Sequence, residues 1–236
     1  MTVYEEFDTA VRAFWTGRDL QAQRQVESGR QDAGTRGAVT GGKHLEPLEQ
    51  VVGSLFAPLK ARGADIRSGT RVTLPGHFRR TKDWDLVVTF RGALVAAVEF
   101  KSQVGSIGNN FNNRTEEALG NAVDIWKGYE EGAFGAVRPW LGFVFVIEHS
   151  TVSSRVSTRD PRAEFPTDPI FNGTSYVDRY RILARRLVRE RLYDATCVLE
   201  TAKGQGILHE PDTEVGVSNF AAAVAGRIAY IEGLDL

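Results

Sequence analysis

The sequence predicts a mixed α/β or α+β fold, in which helices flank a central mixed sheet. Three observations support this prediction: two apolar runs joined by a short turn, a continuous apolar run of strand length, and several segments with helical spacing of apolar residues. The chain of 236 residues shows no internal repeat. We therefore expect a single domain over 1–236, with an N-terminal helical segment at about 1–30.

The first half of the chain leads into a predicted β-hairpin. Val3, Phe7 and Val11 have helical spacing, and a later apolar helix has Pro58 near its end. A stretch rich in Gly, Arg and Thr separates these helices and indicates a loop. In order, the predicted segments are a helix over 3–28, a loop over 29–43, a helix over 45–61, a strand over 64–75 and the hairpin strands 84–90 and 94–101.

The second half alternates predicted loops, strands and helices. Asn113 is the expected N-cap of a helix with Glu116 three residues on, and Ser175 and Ser218 are the expected caps of two later helices. In order, the segments are a loop over 102–114, a helix over 113–129, a strand over 140–147, a loop over 149–174, a helix over 176–192, a strand over 195–199 and a helix over 219–231.

The hairpin brings acidic and basic side chains together at one end. If its loop is the three residues 91–93, Asp85 faces Glu99, and directly opposed residues have Cβ atoms roughly 4.5–5.5 Å apart. Lys101 lies two residues after Glu99, so it projects from the same face, opposite Asp83. Two carboxylates and an ammonium group are therefore expected to converge there.

Such a cluster is suited to a divalent cation. Opposed like charges are destabilising, and Mg²⁺ binds one or two carboxylates together with waters and phosphate oxygens. The arrangement fits phosphodiester hydrolysis, in which Lys101 orients the attacking water and offsets charge in the transition state. The alternative from spacing alone is a surface hairpin whose charged end is merely solvated.

Composition excludes several other classes. The chain is 42% hydrophobic with a net charge of −1, so any nucleic-acid surface must be local. The lone Cys197 is expected to be a core thiol, and the lack of a signal peptide or membrane span predicts a cytoplasmic protein. The segment Gly37 to Lys43 lacks the Ser or Thr of a nucleotide-binding loop, and no histidine has a Cys partner at zinc spacing.

Longer strings of residues resemble the XhoI-type family of type II restriction endonucleases. The resemblance covers most of the chain from about Gly34 to Leu199. The matching stretches are Arg36 to Gly42, Thr81 to Val87, Ala96 to Gln103, Gly108 to Gly120, Arg138 to Gly142 and Tyr176 to Ala195.

The resemblance implies a PD-(D/E)xK nuclease core that depends on Mg²⁺. By position, the family motif places metal-binding acids at Asp85 and Glu99 and the catalytic lysine at Lys101, and Phe100 is included in the metal site. Such cores often take another acid from an upstream helix, for which Glu46 is preferred over the other candidate, Glu49. The Pro of the motif is absent, since Lys82 precedes Asp83.

The resemblance also implies a homodimer that cleaves double-stranded DNA at the palindrome CTCGAG and leaves a 5′ overhang. Such an enzyme is expected to be paired with a cognate DNA methyltransferase. Two alternatives remain open: a structure-selective repair or junction nuclease on the same core, and a DNA-binding protein without catalysis. Cleavage governed by DNA structure would favour the first, and binding without cleavage the second.

Three groups of side chains are candidates for DNA contact. Asn suits adenine and Arg suits guanine or phosphate, although the Asn residues alternatively supply turn geometry and the Arg stripe on the helix over 176–192 is alternatively a solvated face. The candidates are Asn109, Asn110, Asn112 and Arg114 after the catalytic strand, Arg155, Arg159 and Arg162 in the long loop, and Arg181 and Arg185 in the stripe.

Overall fold

A six-stranded mixed sheet forms the centre of the fold. A computed structural model describes residues 1–27, 44–156 and 163–234. The strands follow the chain in spatial order and are β1 (Asp65–Pro75), β2 (Thr81–Phe90), β3 (Ala93–Gln103), β4 (Trp140–Glu148), β5 (Ala195–Ala202) and β6 (Gly206–His209). Neighbours β1 to β3 are antiparallel, β3 to β5 are parallel, and β6 pairs antiparallel with β5.

Helices cover both faces of this sheet, as the sequence predicted. They are α1 (Val3–Glu27), α2 (Glu46–Leu55), α3 (Ala57–Ala61), α4 (Ile107–Glu130), α5 (Thr151–Ser154), α6 (Tyr176–Arg189) and α7 (Val217–Glu232). One apolar layer includes Phe14, Leu48 and Phe220 from α1, α2 and α7, and the other includes Ala118 and Tyr180 from α4 and α6. Each large side chain buried in these layers stabilises the fold by about 1.5–3 kcal/mol.

The hairpin of β2 and β3 has a shorter loop than the sequence predicted. Phe90 pairs with Ala93, so the loop is the two residues Arg91 and Gly92, both with positive φ, as tight hairpin turns require. A bulge follows, because Val88 pairs with Ala96 and Thr89 with Leu94. The prediction of the loop over 91–93 is wrong, but the bulge adds back one residue and restores the predicted register toward the far end of the hairpin.

A buried arginine from the last helix of the chain stabilises this bulge. Val95 is the extra residue of the bulge, and its carbonyl accepts a hydrogen bond of 3.1 Å from Nε of Arg227 in α7. The same guanidinium donates to the carbonyl of Arg138, just before β4, at 2.8 Å. Arg227 therefore joins the beginnings of two central strands and satisfies a carbonyl that the bulge would leave unpaired.

Several predicted boundaries are corrected. The helix over 45–61 is two helices, because Pro58 lacks an amide hydrogen and interrupts the ladder after Leu55. The segment 102–114 is not a loop: β3 continues to Gln103 and α4 already begins at Ile107. Asn113 therefore lies inside α4 and caps nothing. Ser218 is not a cap either, since α7 begins at Val217.

Other predictions are confirmed. The N-terminal helix is α1, and Ser175 caps α6 by accepting a 3.1 Å hydrogen bond from the Asp178 amide. Cys197 is a buried free thiol. The loop over 149–174 contains α5 and a short 3-10 helix at Pro169–Phe171, and the predicted loop over 29–43 lies outside the described residues. None of the helices within the described ranges has the length and hydropathy needed to cross a bilayer.

Asp124 of α4 anchors the turn between β1 and β2. Its buried carboxylate accepts hydrogen bonds from the amides of His77 and Phe78, at 2.9 and 2.8 Å, and from Nε of Arg79 at 2.7 Å. Burial would raise the pKa of Asp124, but these donors together lower it below its usual range. The ionised carboxylate is therefore a stabilising element of the fold.

The substitution Asp124→Asn is expected to lower the free energy of unfolding by about 1–3 kcal/mol at pH 7, because charge-assisted bonds are lost. A carboxyl whose folded pKa is depressed stabilises the fold above its unfolded pKa of about 3.9 and loses that contribution as pH falls through the folded value. The difference in the free energy of unfolding between wild type and variant should therefore disappear below about pH 4. Urea unfolding at several pH values tests this, with exposed Asp65→Asn as control. A gap that stays constant down to pH 3 would contradict the assignment.

Candidate active site

The ends of β2 and β3 hold the candidate catalytic side chains. Leu86 pairs with Val98, and this register continued by one residue sets Asp85 opposite Glu99. Beyond this last ladder pair, the amide of Phe100 donates a 2.9 Å hydrogen bond to Oδ2 of Asp85. The strand geometry therefore fixes the Asp85 carboxylate beside Glu99, which agrees with the arrangement expected from the spacing.

Glu99 is the most buried acid of the site, with 2% of its surface exposed. Lys82 Nζ donates to its Oε2 at 2.8 Å, and Lys101 Nζ forms an ion pair with its Oε1. Burial would raise the pKa of Glu99, but the ammonium groups of Lys101 and Lys82 lower it. Burial would likewise lower the pKa of Lys101, which Glu99 raises instead. The pair is therefore charged in the folded protein.

Asp85 forms no ion pair with the basic residues that the structure describes, and its negative charge is unfavourable. Burial, and then the charge of Glu99, raise the pKa of Asp85. Glu49 of α2 belongs to the same charge cluster: burial and the charges of Asp85, Glu46 and Glu99 raise the pKa of Glu49 to about 7, against a 2.8 Å hydrogen bond from the Gly69 amide. The ammonium groups of Lys101 and Lys82 offset this effect only in part at Asp85, so its ionised form stays disfavoured.

This surplus of negative charge fits a Mg²⁺ ion. Among the residues described, no three His, Cys, Asp or Glu side chains converge closely enough to form a complete metal site. Mg²⁺ does not need such a set, because it binds one or two carboxylates and keeps several waters. Asp85 and Glu99 provide hard oxygen ligands of that kind, and the repulsion that raises the pKa of Asp85 is the interaction that a cation would relieve.

The remaining residues assigned to the metal site are placed differently from the expectation. The ring of Phe100 is packed in the apolar layer with α1, α2 and α7, so only its main-chain carbonyl is available to a metal. Glu46 is half-buried and accepts a 3.3 Å bond from Gln50, whereas Glu49 is 6% exposed and interacts electrostatically with Asp85 and Glu99. Geometry therefore favours Glu49 over Glu46 as the acid from the upstream helix.

The Asn-rich segment lies in the first turns of α4, not in a loop. Asn109 is part of this helix, Asn110 donates a 3.0 Å bond to the Ser106 carbonyl, and Asn112 is exposed. Arg114 forms an ion pair of 2.7 Å with Glu117. Glu117 in turn contributes to the electrostatic environment of Lys101. This part of α4 therefore lies near the candidate active site, and DNA contact by its Asn side chains stays a prediction.

The other arginine candidates fall into two groups. Arg155 follows α5 and is exposed, while Arg159 and Arg162 lie outside the described residues. Arg185 forms ion pairs of 2.9 Å with both Asp212 and Glu214, and Arg181 lies 4.0 Å from Asp212. The arginine stripe thus holds α6 to the segment that precedes α7, and a role of Arg181 and Arg185 in DNA binding stays a prediction.

Lys82 is a site residue that the sequence analysis missed. Strand alternation places it on the face opposite Asp85, three residues away, so periodicity gives no reason to group the two. Its long side chain instead reaches Glu99 from the beginning of β2, where it also donates to the Asp83 carbonyl at 2.7 Å. No spacing rule in the sequence links Lys82 to Glu99, which lies 17 positions further along the chain.

A mixed sheet with Asp on one strand and Glu-x-Lys on the next defines a core like that of the restriction endonucleases. The family model described as restriction endonuclease XhoI matches residues 24–210. The type II restriction enzyme BstVI of Geobacillus stearothermophilus is 39% identical to this chain over 209 residues, which cover 84% of this chain and 92% of that enzyme. The chain belongs to the XhoI family of restriction endonucleases.

Two further relatives agree with this assignment. The type II restriction enzyme XhoI of Xanthomonas vasicola is 38% identical, with 75% of this chain and 72% of that enzyme covered. The type II restriction enzyme AbrI of Azospirillum brasilense is 45% identical over 149 residues, with 62% of this chain and 67% of that enzyme covered. No solved structure matches the chain significantly.

Proposed function

We propose that this protein is a Mg²⁺-dependent type II restriction endonuclease that hydrolyses phosphodiester bonds of double-stranded DNA at CTCGAG and leaves a 5′ overhang. The observation that carries this proposal is the position of Asp85 opposite Glu99, with Lys101 paired to Glu99, in a chain of the XhoI family. The described strands and helices support a single nuclease domain.

Each side chain of the cluster has a distinct task. Asp85 and Glu99 would hold Mg²⁺, and the Phe100 amide keeps the Asp85 carboxylate in position. When bound, Mg²⁺ polarises the scissile phosphoryl group and lowers the pKa of the attacking water. Lys101 orients that water and offsets the charge that develops on the phosphate. Lys82 keeps Glu99 ionised while Lys101 engages the substrate.

The palindromic site has a consequence for assembly. A two-fold symmetric sequence suits a homodimer in which each subunit reads three base pairs, because the symmetry of protein and DNA then coincide. An enzyme of this kind needs a cognate methyltransferase that protects the host genome at the same site. Asn109, Asn110, Asn112, Arg114 and Arg155 are candidate contacts with this DNA.

Digestion of plasmid DNA with and without Mg²⁺ tests the proposed function. We expect linear product from a plasmid with one CTCGAG site only when Mg²⁺ is present, and run-off sequencing should locate one nick per strand with a 5′ overhang. A plasmid in which that site is changed by one base pair is the matched control. Cleavage of both plasmids alike, or of four-way junctions in preference to either, would reject the site-specific reading.

A pair of substitutions on α2 tests the identity of the upstream acid. Glu49→Gln is expected to raise the Mg²⁺ concentration for half-maximal cleavage by about 10–100-fold, the usual effect of losing a group that supports a metal site. Glu46→Gln, one turn away on the same helix, is the matched control and should change it by less than about threefold, since Glu46 lies at the edge of the cluster. The opposite order of effects would assign the role to Glu46.

A further inference from the structure

The turn between β1 and β2, which leads into the strand that carries Asp85, presents an exposed aromatic ring. We call this turn, Gly76–Arg80, the hairpin tip. Phe78 is 69% exposed, and the edge of the His77 ring contacts it with ring centroids 4.6 Å apart. Arg80 is also exposed and forms no ion pair with the acidic residues that the structure describes. The tip therefore offers an apolar group and a positive charge to solvent.

Hydrogen bonds to α4 hold the hairpin tip in a fixed conformation. Beyond the three hydrogen bonds to Asp124, Nη2 of Arg79 donates to Asn121 of α4 at 2.9 Å. The Gly76 amide donates to the Arg80 carbonyl at 3.3 Å. A Cβ at Gly76 would lie 2.6 Å from the Arg79 carbonyl oxygen, so only glycine fits there. A single exposed apolar residue is ordinary. Here, however, the buried side chains of Asp124 and Asn121 fix the turn that carries Phe78, so the ring is preorganised for contact.

The tip lies within reach of the same DNA as the catalytic cluster. Lys82, which contacts Glu99, follows Phe78 by four residues along the chain. At about 3.3 Å per strand residue, the two are at most about 13 Å apart. That span corresponds to about four base pairs at 3.4 Å each. A duplex that runs from the cluster toward the beginning of β2 would therefore pass the tip.

We infer that the hairpin tip is a DNA-contacting element, in which Arg80 binds a backbone phosphate and Phe78 enters a groove and contacts base edges. This inference rests on the proposed function, since it takes the duplex at the cluster as its ligand. The two side chains have separable effects: phosphate contacts add affinity for any sequence, whereas contacts with base edges add selectivity. An aromatic ring suits the apolar surface of a thymine methyl group.

Equilibrium binding to short duplexes tests the inference, with all variants made in the Lys101→Ala background so that the DNA stays intact. Phe78→Ala should weaken binding to a CTCGAG duplex about tenfold, by loss of one base contact, and leave binding to a scrambled duplex unchanged. Arg80→Ala should weaken binding to both duplexes alike and lower the slope of log affinity against log salt by about 1. Tyr230→Ala on α7 and Arg67→Ala on β1 are exposed matched controls, for which no change is expected.

Two outcomes would overturn the inference: wild-type-like binding in both variants, or a lower molecular mass of Phe78→Ala by light scattering, which would make the tip a contact between two copies of the chain. Thermal unfolding of each variant verifies that it is folded. Failure of the wild-type protein to cut DNA would reject the proposed nuclease instead. If the wild-type protein binds CTCGAG DNA without cutting it, loss of selective binding in Phe78→Ala would still support DNA contact by the hairpin tip.

Discussion

Lys101→Ala will abolish DNA cleavage and leave DNA binding and folding intact. Removing one preorganised group that stabilises transition-state charge costs about 10²–10³ in rate, and we expect at least that loss here. Folding should survive because buried Glu99 keeps Lys82 as a partner at 2.8 Å. Single-turnover cleavage of a CTCGAG duplex, together with binding to the same duplex, measures both effects.

The exposed residue Lys60 of α3 provides the control for this experiment, since Lys60→Ala removes an equal charge that takes no part in the ion pairs of Glu99. Cleavage by Lys101→Ala within tenfold of wild type would remove Lys101 from the catalytic step. An equal loss of cleavage and binding would instead make it a substrate-binding residue.

Asp85→Asn will abolish cleavage and also remove the stabilisation of the folded protein by Mg²⁺. In the absence of metal, we expect the variant to be at least as stable as wild type, because burial and the charge of Glu99 raise the pKa of Asp85 and disfavour its ionised form. The amide oxygen of Asn still accepts the bond from Phe100. A bound ion at 100 times its dissociation constant stabilises a fold by about 2.7 kcal/mol, and this increment should be absent in the variant.

Thermal unfolding with EDTA and with Mg²⁺ measures this difference directly. Asp83→Asn is the matched control, because Asp83 is exposed and bonded to Thr73 at 2.6 Å, and it should retain the Mg²⁺-dependent shift. An Asp85→Asn protein that is strongly destabilised in EDTA, or that gains as much from Mg²⁺ as wild type, would show that Asp85 is a structural acid.

The register of the catalytic hairpin could be predicted from the sequence, although its loop could not. A two-residue loop alone would have moved Asp85 away from Glu99 by one residue. The bulge at Val95 compensates, and its carbonyl is satisfied by Arg227, 132 positions further along the chain. Local propensity cannot predict a contact between residues so far apart in sequence. The predicted register was correct because the shorter loop and the bulge shift it by one residue in opposite directions.

The beginning of α4 shows how composition misled the prediction. Four Asn residues between 109 and 113 favour turns in isolation. The helix nevertheless starts at Ile107, because buried Ile107 and the Phe111 ring, which contacts Tyr180, extend the apolar face of Ala118 backward at helical spacing. Tertiary packing overrides local preference here. The same spacing was present in the sequence and could have identified the earlier start.

The choice between Glu46 and Glu49 depended on a neighbour that sequence does not reveal. Both acids lie at the beginning of α2, and helical periodicity alone does not tell which one faces the cluster. The Gly69 amide, in the irregular part of β1 between Ser68 and Val72, binds Glu49 and directs it inward. Gly69, with positive φ, signals an irregularity in the strand, but the glycine alone does not tell which acid of α2 its amide binds.

We propose that Asp85 and Glu99 share one divalent cation beside Lys101. Crystals grown with Mn²⁺, which replaces Mg²⁺ at oxygen sites and scatters anomalously, test it most directly. We expect an anomalous peak within coordinating distance of carboxylate oxygens of both Asp85 and Glu99, and no such peak in Asp85→Asn crystals. A peak bound by other residues only, or no peak at a Mn²⁺ concentration that supports DNA cleavage, would contradict it.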